Sequence, residues 1–306
     1  MEVIEWFFTN RSQHQMSMES LYKVVGISRQ GFHKNRSKRQ TQLDQVDQII
    51  DRVEFYRQTH PRMGARPLFQ IMQHTLSDVE LLQDIGRDKF EQILLDNGLR
   101  VDPIRIFHKT TYSGAFRFPN LVEGLEVKDV NQVWVSDLTY YRLLDGWAYL
   151  TFILDLYSKR CIGHALSVVR PSEQTTIPAL KMAIATRGIS SFEEKLTFHS
   201  DGGGQYYDKE FLKIIKKYKI VSSMSACVFE NPHIERFHST AKNDYLIPWG
   251  VNSVTKLKEQ LPRFIELYNN VRPHRSLAGK TPVAFEQSIK QIPLCQRTPV
   301  LFKKMK

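Results

Sequence analysis

Three acidic residues in this 306-residue chain stand where carboxylates could hold a divalent cation: Asp137 in NQVWVSDLTYYRL, Asp201 in LTFHSDGGGQYYDKEF and Glu235 in ENPHIERFHSTAKNDYL. Carboxylates brought together repel, and each raises its neighbour's pKa unless a cation lies between them. Oxygen donors of this kind suit a hard ion, Mg²⁺ first, with Mn²⁺ as an acceptable substitute. Two such ions fit phosphodiester chemistry, one lowering the pKa of an attacking water or 3′-hydroxyl and the other steadying the leaving oxygen. His199 shares a strand face with Asp201, but a metal-activated nucleophile needs no general base, so a packing or supporting role is expected for it. The run Gly202 to Gly204 does not make a phosphate-cradling Walker loop, because Gln205 and Tyr206 follow where Lys and Ser/Thr are needed. No nucleotide cofactor is expected, and the glycines are read as a sharp turn that keeps the space over Asp201 clear.

Elements must bring these acids together. Alternate residues of a strand share a face, so Asp137 points with Val133 and Val135, away from Trp134, Ser136 and Leu138. VWVSDLTYYRL, AYLTFILDLY and RCIGHALSVV, with an Asp145-Gly146 turn after the first, read as an antiparallel three-strand meander. A helix over about 175–186 follows, then the strand KLTFHSD, a helix over about 208–218, the short strand IVSSMS and a helix from about Pro232 past Lys242. If KLTFHSD pairs beside the first strand, Asp201 meets Asp137. On the last helix Glu235, Ser239 and Lys242 share one face, while Ile234, Phe237 and Ala241 can face the core. Asp145 and Asp155 are rival acids that their own turns account for. The expected fold class is α/β, a mixed five-stranded sheet with flanking helices, preceded by small all-α segments.

With 43 Lys+Arg against 32 Asp+Glu the chain carries a formal charge of +11, which favours a polyanionic partner. Residues 20–43 hold Lys23, Arg29, Lys34, Arg36, Lys38 and Arg39 and no acid. Within them Leu21, Val24 and Val25 have helical spacing, Gly26 can close a helix and Ser28 can cap a second one bearing Arg29, Gln30, His33 and Lys34. This is the grammar of a helix-turn-helix that reads a major groove, and equally of two short helices with a solvated basic face. Together with Arg36, Lys38 and Arg39, the second helix is the candidate DNA-binding surface.

A helical period continues from Leu43 to about Gly98. Residues 99–124 interleave Arg100, Arg105, Lys109 and Arg117 with Phe107, Tyr112, Phe116 and Phe118, as a linker along a phosphate backbone or as a strap docked on a neighbour. The expected organisation is 1–42 helix-turn-helix-like, 43–98 a second helical domain, 99–124 linker, 125–290 catalytic core and 291–306 tail. Cys161, Cys227 and Cys295 form no CxxC pair, so reduced thiols are expected, and neither a disulfide framework nor a structural zinc site. No apolar run reaches the ~20 residues of a membrane span, and MEVIEWFF is unlike a signal peptide, so a cytoplasmic location is expected.

The stretches VVGISRQGFHK, NQVWVSDLTYYRL, LTFHSDGGGQYYDKEF, SMS, ENPHIERFHSTAKNDYL and YNNVRPHRSLAGKTPVAFE resemble the DDE transposases of bacterial insertion sequences, specifically second-reading-frame products with a retroviral-integrase-like core. The resemblance spans nearly the whole chain. It implies an RNase H-like fold, Asp137, Asp201 and Glu235 as the metal-binding triad, and Lys242 as a contact to transposon-end DNA. It further implies cleavage and strand transfer at terminal inverted repeats, action as a homo-oligomer on DNA at the bacterial nucleoid, and the first-reading-frame product as a further partner. The interval from Asp201 to Glu235 is shorter than the family pattern, which makes Glu230, ahead of the helix, a rival third acid. Arg272, His274 and Arg275 lie in a loop that could touch DNA or pack, before Thr281-Pro282 opens a short helix.

Overall fold

In the computed structural model, which describes residues 2–13, 15–102, 118–188, 196–225 and 232–302, the chain begins with three helices. These are α1 (Glu2–Thr9), α2 (Met18–Val25) and α3 (Arg29–Thr59). Ser17 and Ser28 cap α2 and α3 by accepting from the Ser20 and Gly31 N–H groups, and Gly26 closes α2 in the left-handed region at φ 72°. Ile4, Leu21, Tyr22 and Phe32 bury together where the three meet. Val24 and Val25 point outward, 82% and 43% exposed, although their spacing suits an apolar stripe. The second helix is not short. It runs 31 residues through position 42, because no proline interrupts it before Pro61.

The far half of α3 supplies Ile49 and Val53 to a second core with α4 (Ala65–Gln73) and α5 (Arg87–Asp96), centred on Leu68, Met72, Phe90 and Leu94. His60, just past α3, is buried with its Nδ1 2.9 Å from the Tyr245 hydroxyl, which ties this helical unit to the sheet-bearing remainder of the chain.

The rest is built on a five-stranded sheet in the order β4-β3-β2-β5-β6. Strands β2 (Val133–Leu143), β3 (Gly146–Asp155) and β4 (Cys161–Ser167) form the antiparallel meander; β5 (Thr197–Ser200) and β6 (Val221–Met224) add in parallel beyond β2. The hairpin between β2 and β3 turns at Gly146, whose φ of 140° an L side chain rarely adopts. Helices α6 (Thr176–Arg187) and α7 (Lys209–Lys217) cover one face over Trp134, Ile153 and Phe198. Gly163 on β4 lets α6 approach closely, since a Cβ there would lie 2.3 Å from the Ala179 carbonyl oxygen.

On the other face, α8 (Pro232–Ser239), a π-helical segment (Thr240–Leu246), α9 (Val254–Asn270) and α10 (Pro282–Ile289) pack over Val133, Val135 and Phe152. The alternation of β2 thus serves two cores, as its residue pattern predicts. A short strand before the sheet, β1 (Glu126–Val127), pairs with β7 (Val300–Leu301), which brings the C-terminal residues back onto the core. This is the RNase H-like arrangement, preceded by small all-α segments. Among the described residues, no helix is long and apolar enough to cross a membrane.

Candidate active site

The register of β2 with β5 decides where the first two acids lie. Their last paired residues are Ser136 and Ser200, so Asp137 and Asp201, the latter just past the end of β5, are the next residues along two adjacent parallel segments. Burial holds the Asp137 carboxyl well above the ordinary carboxylate range, and the charge of Asp201 pushes it the same way. The Leu138 N–H, donating to Asp137 Oδ1 at 2.8 Å, and the charge of Lys242 pull in the opposite direction. Burial raises Asp201 as well, offset by the Gly203 N–H, which donates to its Oδ1 at 3.1 Å. Two carboxyls at adjacent positions, each raised by burial, fit a hard divalent cation.

Glu235 comes from the first turn of α8, half-buried, with its charge felt at Asp137. The expected core face is there: Ile234, Phe237 and Ala241 are all buried, with the Phe237 ring 4.9 Å from that of Phe152 on β3. The helix does run past Lys242, but from Thr240 as a π-helix, a widening that often accompanies functional sites. Lys242 Nζ donates to Thr139 Oγ1 at 2.5 Å, and burial pushes its pKa down to about 8 against the pull of Asp137. Among the described residues, no three His, Cys, Asp or Glu side chains converge closely enough to hold a metal ion as they stand. Glu230, the rival third acid, lies outside the described residues.

The chain does turn at the glycine run, through side-chain and backbone hydrogen bonds. None of Gly202 to Gly204 occupies the left-handed region. The turn is made by Asp201 accepting from Gly203, with the Tyr207 hydroxyl donating to the Gly202 carbonyl.

Residues 128–227 match one family model and residues 229–282 another, both described as "Integrase core domain". The chain carries an integrase core domain. It is 29% identical to the 31 kDa protein of insertion element IS600 from Shigella sonnei, over 88% of this chain and 98% of that protein. It is 27% identical to the transposase InsF for insertion sequence IS3A from Escherichia coli strain K12, over 92% of this chain and 98% of that one. A magnesium complex of the HTLV-2 integrase catalytic core domain is similar at 20% identity, covering 55% of this chain and 99% of that one with a TM-score of 0.42. The integrase core thus belongs, as a class, with DNA-cleaving and strand-transferring enzymes related to the transposases of bacterial insertion sequences.

Two neighbours of the integrase core's acids were not foreseen. His238 is buried one helical turn beyond Glu235, its Nδ1 3.5 Å from Asp137 Oδ2. Burial pushes its pKa down to about 3, so the ring is neutral. Tyr206, fully packed beneath the acids, donates from its hydroxyl to Ser136 Oγ at 3.0 Å, and Ser136 in turn donates to the Phe152 carbonyl. Burial and the charges of Asp201 and Asp137 hold the Tyr206 hydroxyl well above its ordinary pKa. Nothing in the spacing of HSDGGGQY or ERFHS separates these two from packing residues. The strand order is what brings them in.

The remaining candidates divide cleanly. His199 is fully buried, with Nδ1 3.0 Å from Ser223 Oγ and the Phe302 ring 5.3 Å away, in a supporting place. Asp155 closes its own turn by accepting from the Asn131, Tyr157 and Ser158 N–H groups. Arg272 and His274 pack: Arg272 pairs with Asp244 at 2.9 Å, and the His274 ring lies 4.6 Å from Tyr268. On α3, Arg29, Gln30, His33, Lys34, Lys38 and Arg39 are exposed, with Arg39 also bridged to Glu5 at 2.7 Å. Arg36 instead lies half-buried over the Phe8 ring at 4.3 Å. Most of the basic aromatic linker, including Arg105, Lys109 and Arg117, falls outside the described residues.

Proposed function

We propose that the protein is a transposase that binds the terminal inverted repeats of its own insertion sequence and catalyses metal-dependent strand cleavage followed by strand transfer. The observation that carries this reading is the pair Asp137 and Asp201, at adjacent positions of parallel strands, each in an environment that disfavours an unneutralised carboxylate. Asp137, Asp201 and Glu235 would hold two Mg²⁺, or Mn²⁺ in their place. Such ions supply activation of a 3′-hydroxyl and charge neutralisation at the attacked phosphate. His238 lies against the Asp137 carboxyl and orients it, and Lys242 faces the DNA beside it. The exposed side of α3 from Arg29 to Arg39 binds the element ends, with phosphate contacts from Lys34, Lys38 and Arg39 and groove contacts from Arg29, Gln30 and His33; Arg36 steadies that helix on Phe8.

In this reading residues 1–42 and 43–98 hold the ends, 99–124 runs between them and the core, 125–290 carries the chemistry and 291–306 closes its back. The protein works as a homo-oligomer on bacterial nucleoid DNA, alone or joined to the first-reading-frame product. Labelled candidate element ends incubated with Mg²⁺ test this. Strand-joined products are expected from the wild type, and cleavage without joining would make it a nuclease instead. Asp137→Asn and Asp201→Asn should abolish cleavage while duplex binding persists, and cleavage retained in either would refute the site. Glu235→Gln compared with Glu230→Gln decides the third acid.

A further inference from the structure

Beyond Ser136 the central strand β2 is paired with β3 alone among the described residues, so its half from Asp137 to Leu143 has a free edge. Asp137 faces one side of that edge. On the other side, three residues or about 10 Å further along, begins a row of rings and guanidinium groups. Tyr140 stands beside Tyr149 at 5.3 Å and beside Trp147 at 6.4 Å, the latter pair nearly perpendicular. Arg170 reaches over Tyr140 at 5.0 Å, and Arg142 over Trp147 at 5.0 Å. The rings are not core: Tyr140 is 41% and Trp147 50% exposed.

Keeping large rings in water at a strand end forgoes the burial that would otherwise favour them. Rings topped by planar cations are chemically suited to one kind of partner. Unpaired nucleic-acid bases stack on aromatic faces and on guanidinium planes, while the phosphates between them meet the positive charge. The paired bases of an intact duplex offer no free faces.

We infer that this face is a stacking platform for an unpaired DNA strand lying next to the proposed cleavage site. The inference rests on the DNA-cleaving reading above and deepens it: the duplex is opened at the cut, and the freed bases are held across the edge of β2 from Asp137. Stacking on one ring is worth roughly a 5- to 150-fold change in affinity, and that share does not follow salt as phosphate contacts do.

The test compares equilibrium binding of the full chain to a labelled blunt duplex and to the same duplex with a short oligoadenylate 3′ tail, at low and raised salt. The wild type should prefer the tailed DNA about tenfold or more, and the preference should survive raised salt. Trp147→Ala with Tyr140→Ala should erase it while leaving blunt-duplex binding and the thermal unfolding midpoint unchanged. Arg142→Lys, which keeps the charge and removes the plane, should weaken the preference without changing the salt slope. Equal affinity of the wild type for both DNAs, or a preference the double variant retains, overturns the platform alone. Failure to bind either DNA overturns the functional reading with it. If the double variant instead lowers the oligomeric state in sedimentation and keeps its tail preference, the face belongs to a second copy of the chain and the inference is wrong.

Discussion

Arg187, at the end of α6, anchors a buried charge network outside the candidate site. Its side chain is 7% exposed and faces Asp155 at 3.0 Å, with Asp155 wholly buried. It also holds Glu286 of α10, at 2.8 and 3.0 Å, and Glu286 takes further bonds from Ser158 and Arg160. Burial alone would raise Glu286, but the hydrogen bonds and charge of Arg187 outweigh it and hold the carboxyl below its usual range. Asp155 is raised by burial, with Arg187 opposing.

Replacing Arg187 with Met removes one cation from a balanced set of two cations and two anions. At ~3 Å each pair is worth about 5 kcal/mol at an effective dielectric of about 20. Relief of the arginine's own desolvation returns part of this, leaving a loss of about 3–5 kcal/mol for breaking a buried network. That is a large share of the roughly 5–15 kcal/mol that holds a domain together.

Denaturant unfolding at neutral pH measures the loss, and a second signature separates charge from packing. In the variant Asp155 keeps only its N–H donors and Glu286 only Ser158 and Arg160, so burial lifts both folded pKa values relative to the wild type. Such groups add stability as they take up protons, so the deficit relative to wild type should narrow as pH falls from about 7 towards 5. A deficit under about 1 kcal/mol, or one that stays constant with pH, would refute the reasoning.

His60 offers a test of the opposite sign. Burial, then Arg272 and Arg263, push its folded pKa down to about 4, against an unfolded value of about 6.5. Its contribution is therefore complete above about pH 6.5 and lost as pH falls towards 4, a span of about 3 kcal/mol. His60→Gln should flatten the pH dependence of unfolding by that amount, and an unchanged slope would count against a buried neutral ring. Phe302, 6% exposed between the rings of His199 and His233, should cost about 3–5 kcal/mol when cut to Ala; a thermal midpoint equal to wild type would show that the C-terminal residues do not seal the core. Lys34→Ala and Lys38→Ala should each lower the slope of log affinity against log salt by about 1, uniformly across DNA sequences. A loss confined to one sequence would mean base contacts instead.

Much of the site was legible because it depends on local period and on residue chemistry. The alternation in VWVSDLTYY sets the face of Asp137, and Ile234, Phe237 and Ala241 set the face of Glu235. Gly26 and Ser28 marked helix ends, since a left-handed cap and a side-chain acceptor are local devices. Other features were hidden for equally physical reasons. Helical spacing could not say that Val24 and Val25 face solvent, because that depends on which neighbours α2 meets. The glycines after Asp201 suggested a turn, but not that a hydrogen bond from the Gly203 N–H to Asp201 would close it.

The sequence by itself determined the strands of the main sheet and the helices between them, the candidate acids, their faces and the excess of positive charge, since all of these follow from residue type and near-neighbour spacing. Only the tertiary structure decided that β5 lies beside β2 in a register that ends at Ser136 and Ser200, and so sets Asp137 next to Asp201. The same folding brought His238 beside Asp137 and Tyr206 onto Ser136, joined Asp155, Arg187 and Glu286 from three distant segments, and left the rings of Tyr140 and Trp147 in water. Those pairings span tens of residues of chain. Their energies come from strand register and burial, which no local spacing encodes.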